Sequence, residues 1–356
     1  MMRRPPIRSW VRRAGVELAG PLAAVLVALA FGGVLVALLG VDPWRMYAEL
    51  GHAVFGSAYG FAQVLFKATT LIGTGLAVAI AFRAGFFNIG AEGQMFLGGL
   101  AGAALALALP SRTPAGLAVT LVLAGSALAG AVWGGIPGYL KARFGVHEVI
   151  NTIMLNFIAF ALGGWLLVEH LAQFESLHTA EIPVAARMPR FDALVPAFRG
   201  APLNLSVVLQ LAACAACFVL LWKTRWGFEV RALGHNPHAA RAAGIPVRRR
   251  MVEAMAVAGG LAGLAASNFV QGYKYYFEDG FTADAGFKGI AVALLARSHP
   301  AGIVPSALLF GALDRGGFVV NRLVPKEIVD ILQALVILCV VVLAERLRRA
   351  LQRRGT

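Results

Sequence analysis

Uncharged apolar runs long enough to cross a lipid bilayer recur along this 356-residue chain, and they constrain its fold more than any other feature. The first runs from Leu18 to Gly40, 23 residues without a charge. A helix of about 20 residues spans the hydrocarbon core of a membrane. Further runs occupy residues 62–82, 91–109, 116–140, 147–170, 204–222, 251–270, 286–297, 302–320 and 327–344, which makes ten candidate spans. Composition agrees, since 59% of residues are hydrophobic and only 14% charged, against about 25% charged in soluble domains. The expected class is an all-α polytopic membrane protein. The run 18–40 exceeds the core of about 7–15 residues that a signal peptide carries, and no small-x-small cleavage site follows it, so it reads as a retained first span.

The net charge of +14 raises the question of nucleic-acid binding. Nucleic-acid proteins cluster basic residues on a soluble face, whereas here they fall between the apolar runs. With the N-terminus placed in the cytoplasm and the sides alternating, 21 Lys and Arg lie in cytoplasmic segments and eight in external ones. That bias is the positive-inside pattern and places both termini in the cytoplasm. The organisation expected is a basic cytoplasmic N-terminus at 1–17, one transmembrane domain at 18–344 and a basic cytoplasmic tail at 345–356. Cys214, Cys217 and Cys339 all sit in apolar runs, so neither a disulfide framework nor a paired-cysteine zinc site is available.

Two stretches depart from simple spans. Residues 286–297 give a helix of only about 18 Å, too short for a hydrocarbon core of about 30 Å. A half-helix or re-entrant helix is expected there, with its backbone shielded by protein or a water-filled path. The external segment 171–203, punctuated by Pro183, Pro189, Pro196 and Pro202, reads as an irregular loop with short surface helices, large enough for docking. Residues 84–89, AGFFNI, are echoed by residues 285–290, AGFKGI, and the two enter their spans from opposite sides. An inverted repeat of this kind puts a substrate path at its interface, often beside broken helices.

No phosphate-binding G-x-x-x-x-G-K-[ST] loop, no H-E-x-x-H and no G-x-S-x-G occurs, so no catalytic residues, metal or cofactor are expected. His147 and Glu148 are adjacent and so point in different directions on a helix. Polar residues inside the apolar runs carry more information. In FRAGFFNIGAEGQMFL, residues 82–97, Arg83, Asn88, Glu92 and Gln94 crowd the boundary between two spans. One reading is an interfacial loop held by an Arg83–Glu92 ion pair; the other has Asn88, Glu92 and Gln94 lining or gating a polar path. Asn151, Thr152 and Asn156 in the run 147–170, and Asn268 with Gln271 later, read either as interhelical hydrogen-bonding groups or as path residues. In the cytoplasmic loop 223–250, Gly234, Asn236 and Pro237 set up a turn before a short helix, HAARAAG, closed by Gly244, which makes a compact docking element.

Four motifs in order carry a family resemblance: FRAGFFNIGAEGQMFLGG, GVHEVINTIMLNFIA, RALGHNPHAARAAGI and GFKGIAVALLARSHPAGIVPSALLFGAL. Over residues 62–345 the chain resembles the permease subunits of ATP-binding-cassette importers of the branched-chain amino acid and simple sugar group. The N-I-G-A-E-G-Q and H-E-V-I-x-T-I-M-L-N strings are most similar to the nucleoside-type branch, which works with a basic-membrane-protein-like lipoprotein. Thr70 stands where that family would carry a proline.

The resemblance implies a type II importer fold of about ten spans in the bacterial inner membrane. It implies import of a small polar solute, a purine nucleoside first and a simple sugar as the alternative, powered by separate cytoplasmic ATPase subunits. A second, paralogous permease and an external solute-binding lipoprotein would complete the complex. Loop 223–250 then corresponds to the ATPase-coupling segment, with Gly234, His235, Asn236, Pro237, Ala240, Gly244 and Ile245 at its recognisable positions. A reading of another class, an ion-coupled secondary transporter, would need paired acids or a cation site at mid-membrane, for which Asp314 and Asp330 are the late-span acids.

Overall fold

The computed structural model describes residues 7–110 and 112–339, with side chains from residue 23 onward apart from Lys326. Arg3, Arg4 and the basic tail at 345–356 lie outside the described residues, as does the last part of the run 327–344. The described residues are helical, with isolated β-bridges and no strand. In chain order the helices are α1 (Ile7–Leu38), α2 (Pro43–Phe55), α3 (Ala58–Arg83), α4 (Ala91–Ala108), α5 (Ala115–Phe144), α6 (Glu148–Leu166) and α7 (Ser206–Lys223). There follow α8 (Arg225–His235), α9 (Pro237–Ala242), α10 (Val247–Ala265), α11 (Ser267–Phe269), α12 (Ala285–Leu295), α13 (Pro300–Val320) and α14 (Lys326–Cys339). Seven of them are long and apolar enough to cross a membrane: α3, α4, α5, α7, α13, α6 with its following π turn, and α10 with the turns after it. They match the expected runs between 62 and 320 other than 286–297, which forms the 11-residue α12. In place of the run 18–40, α1 starts at Ile7.

The chain divides into two compact units, one of residues 1–56 and 313–356, the other of residues 57–312. In the first, Val36, Met46, Val320, Val324 and Val329 form an apolar cluster. The Tyr47 hydroxyl donates to the Leu29 carbonyl at 2.5 Å, and Arg322 reaches Glu49 at 2.7 Å. Asp314 accepts a hydrogen bond from the Gln333 amide at 2.8 Å, so this late-span acid has a neutral partner.

The second unit is built around α3, whose apolar stretch is 78% buried while that of α5 is only 22% buried. Side chains alone cannot explain how closely α5 packs on α10. Gly130, Gly134 and Gly138 fall four apart on α5, and Gly259 and Gly263 do so on α10. A Cβ placed on Gly259 would meet the Gly130 carbonyl and lie 2.9 Å from the Gly134 Cα. Small residues at this spacing let two backbones touch, which supplies dispersion contact where lipid gives no hydrophobic drive.

The proline-rich segment 171–203 folds as three short 3-10 turns. It is tied to residues 271–279: Thr179 N donates to Phe277 O at 2.9 Å, Ile182 N to Tyr275 O at 2.7 Å and Met188 N to Gln271 O at 2.9 Å. The Arg187 guanidinium lies 4.5 Å from the Tyr275 ring centre. Replacing Gly259 by Val forces the α5–α10 contact apart and is expected to cost about 1–3 kcal/mol. Gly164→Ala, at a site with nothing within 4 Å, is expected to be neutral; melting curves in detergent compare the two.

Candidate functional site

Helix α12 spans about 16 Å at about 1.5 Å per residue, so it cannot cross the bilayer. A helix of this kind leaves N–H groups unpaired at its start and carbonyls at its end, carrying opposite partial charges. Its own N-cap residue, Asp284, is in the left-handed region at φ +63° and makes no capping bond. Glu92, in the first turn of α4 and 2% exposed, takes that place: its Oε2 accepts from Gly286 N at 2.5 Å. The Phe287 N–H and the Thr282 hydroxyl are directed at the same carboxylate. The first turns of α4 and α12 abut so closely that a Cβ on Gly286 would strike the Glu92 backbone.

At the other end of α12, Arg83 Nε donates to Ser298 O and its Nη2 to Arg297 O, each at 3.0 Å. Both residues hold left-handed backbone, at φ +52° and +51°, a region costly for residues with a Cβ. The guanidinium also lies 5.2 Å from the Trp222 ring centre. The expected Arg83–Glu92 ion pair is therefore not formed. The two charges lie at opposite ends of one helix. The acid caps its positive start, while the base, on the side the helix dipole favours for a cation, braces the turn after its end. There backbone already meets the helical carbonyls, Ser298 N donating to Ala293 O at 2.7 Å and Arg297 N to Leu294 O at 3.0 Å.

Since Thr74 Oγ1 donates to Ala285 O at 2.9 Å, α12 begins part-way along α3 and ends beside Arg83. The contact between Glu92 and Gly286 places the start of α4 at that same depth. Residues 86–89 form the non-helical backbone leading to it, and such backbone in a membrane must be satisfied by protein. Thr152 Oγ1 accepts from Ile89 N at 3.3 Å, and Asn156 Nδ2 donates to Ile89 O at 3.0 Å. Asn156 Oδ1 accepts from Gly93 N at 3.0 Å. Asn88 Oδ1 accepts from Gly90 N at 3.0 Å, and the Asn88 and Gln94 amides bond each other. Asn88, Gln94 and Asn156, taken from the sequence as path or gate candidates, thus converge with Glu92 on the α4 start.

Asn151 stands apart, its amide donating to Pro137 O at 3.4 Å. Glu148, adjacent to His147, pairs with Lys141. Asn268 joins another set: Nδ2 donates to Phe66 O at 2.9 Å and to Thr70 Oγ1 at 2.8 Å, while Oδ1 accepts from Asn204 and Ser206. Thr70, which stands where the family resemblance calls for a proline, is here a hydrogen-bond partner. Gln271 donates to Ala186 O at 3.0 Å. One turn beyond Ser206 on α7, Gln210 is wholly buried beside Gly73, and neither of its amide atoms has a hydrogen-bond partner.

Between α7 and α10 the chain forms two helices, α8 and α9, where the sequence suggested one. Asn236 Oδ1 caps α9 by accepting from His238 N at 2.9 Å and Ala239 N at 3.1 Å, with Pro237 at the first helical position. Ala240 is buried, Gly244 turns at φ +80°, and Ile245 N donates to Ala240 O at 3.0 Å. His235, Asn236 and Pro237 remain exposed. Glu229 of α8 accepts from Arg225 at 2.8 Å and Arg250 at 2.6 Å. Arg250, then Arg225, hold its carboxyl below the usual carboxylate range. Glu253 accepts from Trp226 at 2.9 Å and Arg249 at 2.6 Å. Sequence reading missed α8 and this network, although an i,i+4 Arg225–Glu229 pair was visible.

Asn156→Leu would orphan Ile89 O and Gly93 N together. It is expected to destabilise the protein by about 1–3 kcal/mol for each group, read as a lower melting temperature in detergent, whereas Asn151→Leu loses one long bond and less stability.

A family described as "Branched-chain amino acid transport system / permease component" matches residues 60–341. The guanosine ABC transporter permease protein NupP of Bacillus subtilis is 37% identical over 90% of this chain and 92% of its own length. The glucose ABC transporter permease protein TsgB13 of Haloferax volcanii is 36% identical over 89% and 85%, and the nucleoside ABC transporter permease protein NupB of Lactococcus lactis 33% over 90% and 90%. No solved structure matches. This chain belongs to the permease-component family of branched-chain amino acid-type transport systems and is the non-catalytic, multi-pass membrane subunit of an ATP-binding-cassette importer.

Proposed function

We propose that this subunit imports a purine nucleoside across a bacterial inner membrane. The observation that carries this reading is the 37% identity to a guanosine permease over 90% of the chain. A sugar is the second reading, because a glucose permease is 36% identical over 89% of the chain. The transmembrane domain of the proposal is residues 18–344 in one piece, in keeping with a family match that runs from 60 to 341 across both compact units. The fold is of type II importer kind: about ten membrane helices counting α1, α14 and the short α12, which enters the membrane without crossing it, with an inverted repeat whose two halves meet where α4 and α12 begin. Asn88, Glu92, Gln94, Asn151, Asn156 and Asn268 lie on or beside the path or its gate.

Both termini and the α8–α9 segment face the cytoplasm, and residues 171–203 face outward. A cytoplasmic ATPase docks on α8–α9 through Gly234, His235, Asn236, Pro237, Ala240, Gly244 and Ile245. A paralogous permease completes the membrane portion, and a solute-binding lipoprotein delivers the nucleoside outside. A paired permease is supported by the named relatives, since NupP and NupQ are both guanosine ABC transporter permease proteins of Bacillus subtilis. The permease does no covalent chemistry; it contributes different affinities for solute in its two states.

Purified complex in proteoliposomes is expected to accumulate labelled guanosine in an ATP-dependent manner, with excess adenosine but not glucose competing. ATP-dependent glucose accumulation without guanosine uptake would replace the nucleoside by a sugar. His235→Asp, at an exposed position, and Gly244→Asp, where nothing lies within 4 Å, are expected to insert normally and to lose the ATPase on affinity purification; retention of the ATPase by both would remove the docking assignment.

A further inference from the structure

The α8–α9 segment touches the membrane core at one place that the proposed docking does not itself explain. Gly234, in the last turn of α8, packs on the turn that follows α3: a Cβ on Gly234 would strike Arg83 O and lie 3.0 Å from Gly85 N. Gly85, at φ +80°, faces it in return, and a Cβ on it would lie 3.1 Å from the Gly234 Cα. The same Arg83 whose backbone meets α8 sends its side chain to the end of α12. One residue thus contacts the docking segment with its main chain and the turn that ends the short helix with its guanidinium.

We infer that Arg83 is the positioning residue that relays movement of α8–α9 to α12, and through α12 to Glu92 at the start of α4. The inference rests on the proposed importer reading. Three features make the joint a relay and more than a packing contact. The α8 contact is backbone on backbone, so displacement of α8 cannot be absorbed by a rotamer change. Arg83 holds two carbonyls with a planar fork, which fixes direction as well as distance. The carbonyls it holds belong to Arg297 and Ser298, two consecutive non-glycine residues in left-handed backbone, an arrangement that persists only while its surroundings enforce it. Release of the fork leaves this turn to its own backbone bonds, among them Ser298 N to Ala293 O at 2.7 Å, and lowers the resistance of α12, held at its other end by Glu92 and Thr74, to a shift along α3.

The test uses the whole complex in proteoliposomes, with wild type, Arg83→Gln and Arg83→Lys, and measures solute taken up per ATP hydrolysed. Arg83→Gln is expected to keep the ATPase bound and hydrolysing while uptake per ATP falls about tenfold, and Arg83→Lys, which keeps the charge and one donor direction, to recover part of the loss. Uptake per ATP unchanged in Arg83→Gln overturns the relay; so does an equal fall in uptake and hydrolysis that Lys does not relieve, because that is the mark of a merely structural residue. If Arg83→Gln fails to assemble, hydrogen exchange on the wild-type complex decides. Trapping the ATPases closed is expected to change exchange at residues 296–299 as well as 234–244, and a change confined to 234–244 overturns the relay. Wild type separates the two readings: glucose uptake without guanosine uptake fails only the substrate, and the ratio is then taken with glucose, whereas absence of any ATP-driven uptake fails the importer reading itself.

Discussion

A peptide group in hydrocarbon has no water to bond, and the membrane core of this protein is arranged around the two places where the helical ladder stops. Residues 86–89 run without helical bonds, and α12 is too short to carry its ends out to water. Side chains borrowed from other helices meet part of each need. Thr152 and Asn156 of α6 take the N–H and carbonyl of Ile89; Glu92 caps the start of α12, and Arg83 holds the turn after its end, where backbone meets the last helical carbonyls. Charge makes the second solution directional, since only an acid at the start and a base at the end oppose the dipole.

Glycine sets how closely the surrounding helices approach. The Gly130, Gly134 and Gly259 contact brings α5 and α10 together backbone to backbone, and α10 in turn packs against α3 and α4. Polar residues on these surfaces bond across helices, as Asn268 does to α3 and to Ser206. Gln210 departs from this, a buried amide with no hydrogen-bond partner among the described residues at the α3–α7 contact. Leaving it so lowers the stability of this arrangement relative to any other that offers it a partner.

The spans between 62 and 320 were legible because length and hydropathy decide them locally, and the short helix near 286–297 was legible for the same reason. Asn236, Pro237 and Gly244 announced α9, since capping is also local. The partners of Arg83 and Glu92 were misread because nearness in sequence suggested a pair, while their true partners lie 215 and 194 residues away. The same distance hid the role of Asn156: an amide in an apolar run signals a hydrogen bond, but nothing in the run says with which backbone group. The glycine spacing on α5 and α10 was readable and went unread, since in a chain with 41 glycines it did not stand out.

The caps of α12 also impose an order in time. A chain synthesised from its N-terminus places Arg83 and Glu92 in the membrane before the helix they serve has been made. Until residues 285–298 arrive, a buried carboxylate and a half-buried guanidinium lack the groups that compensate them, at a depth where uncompensated charge is costly. The early helices are therefore incomplete by themselves. Arrival of α12 changes a strained assembly into a settled one, so the core of this permease closes from its C-terminal half backward.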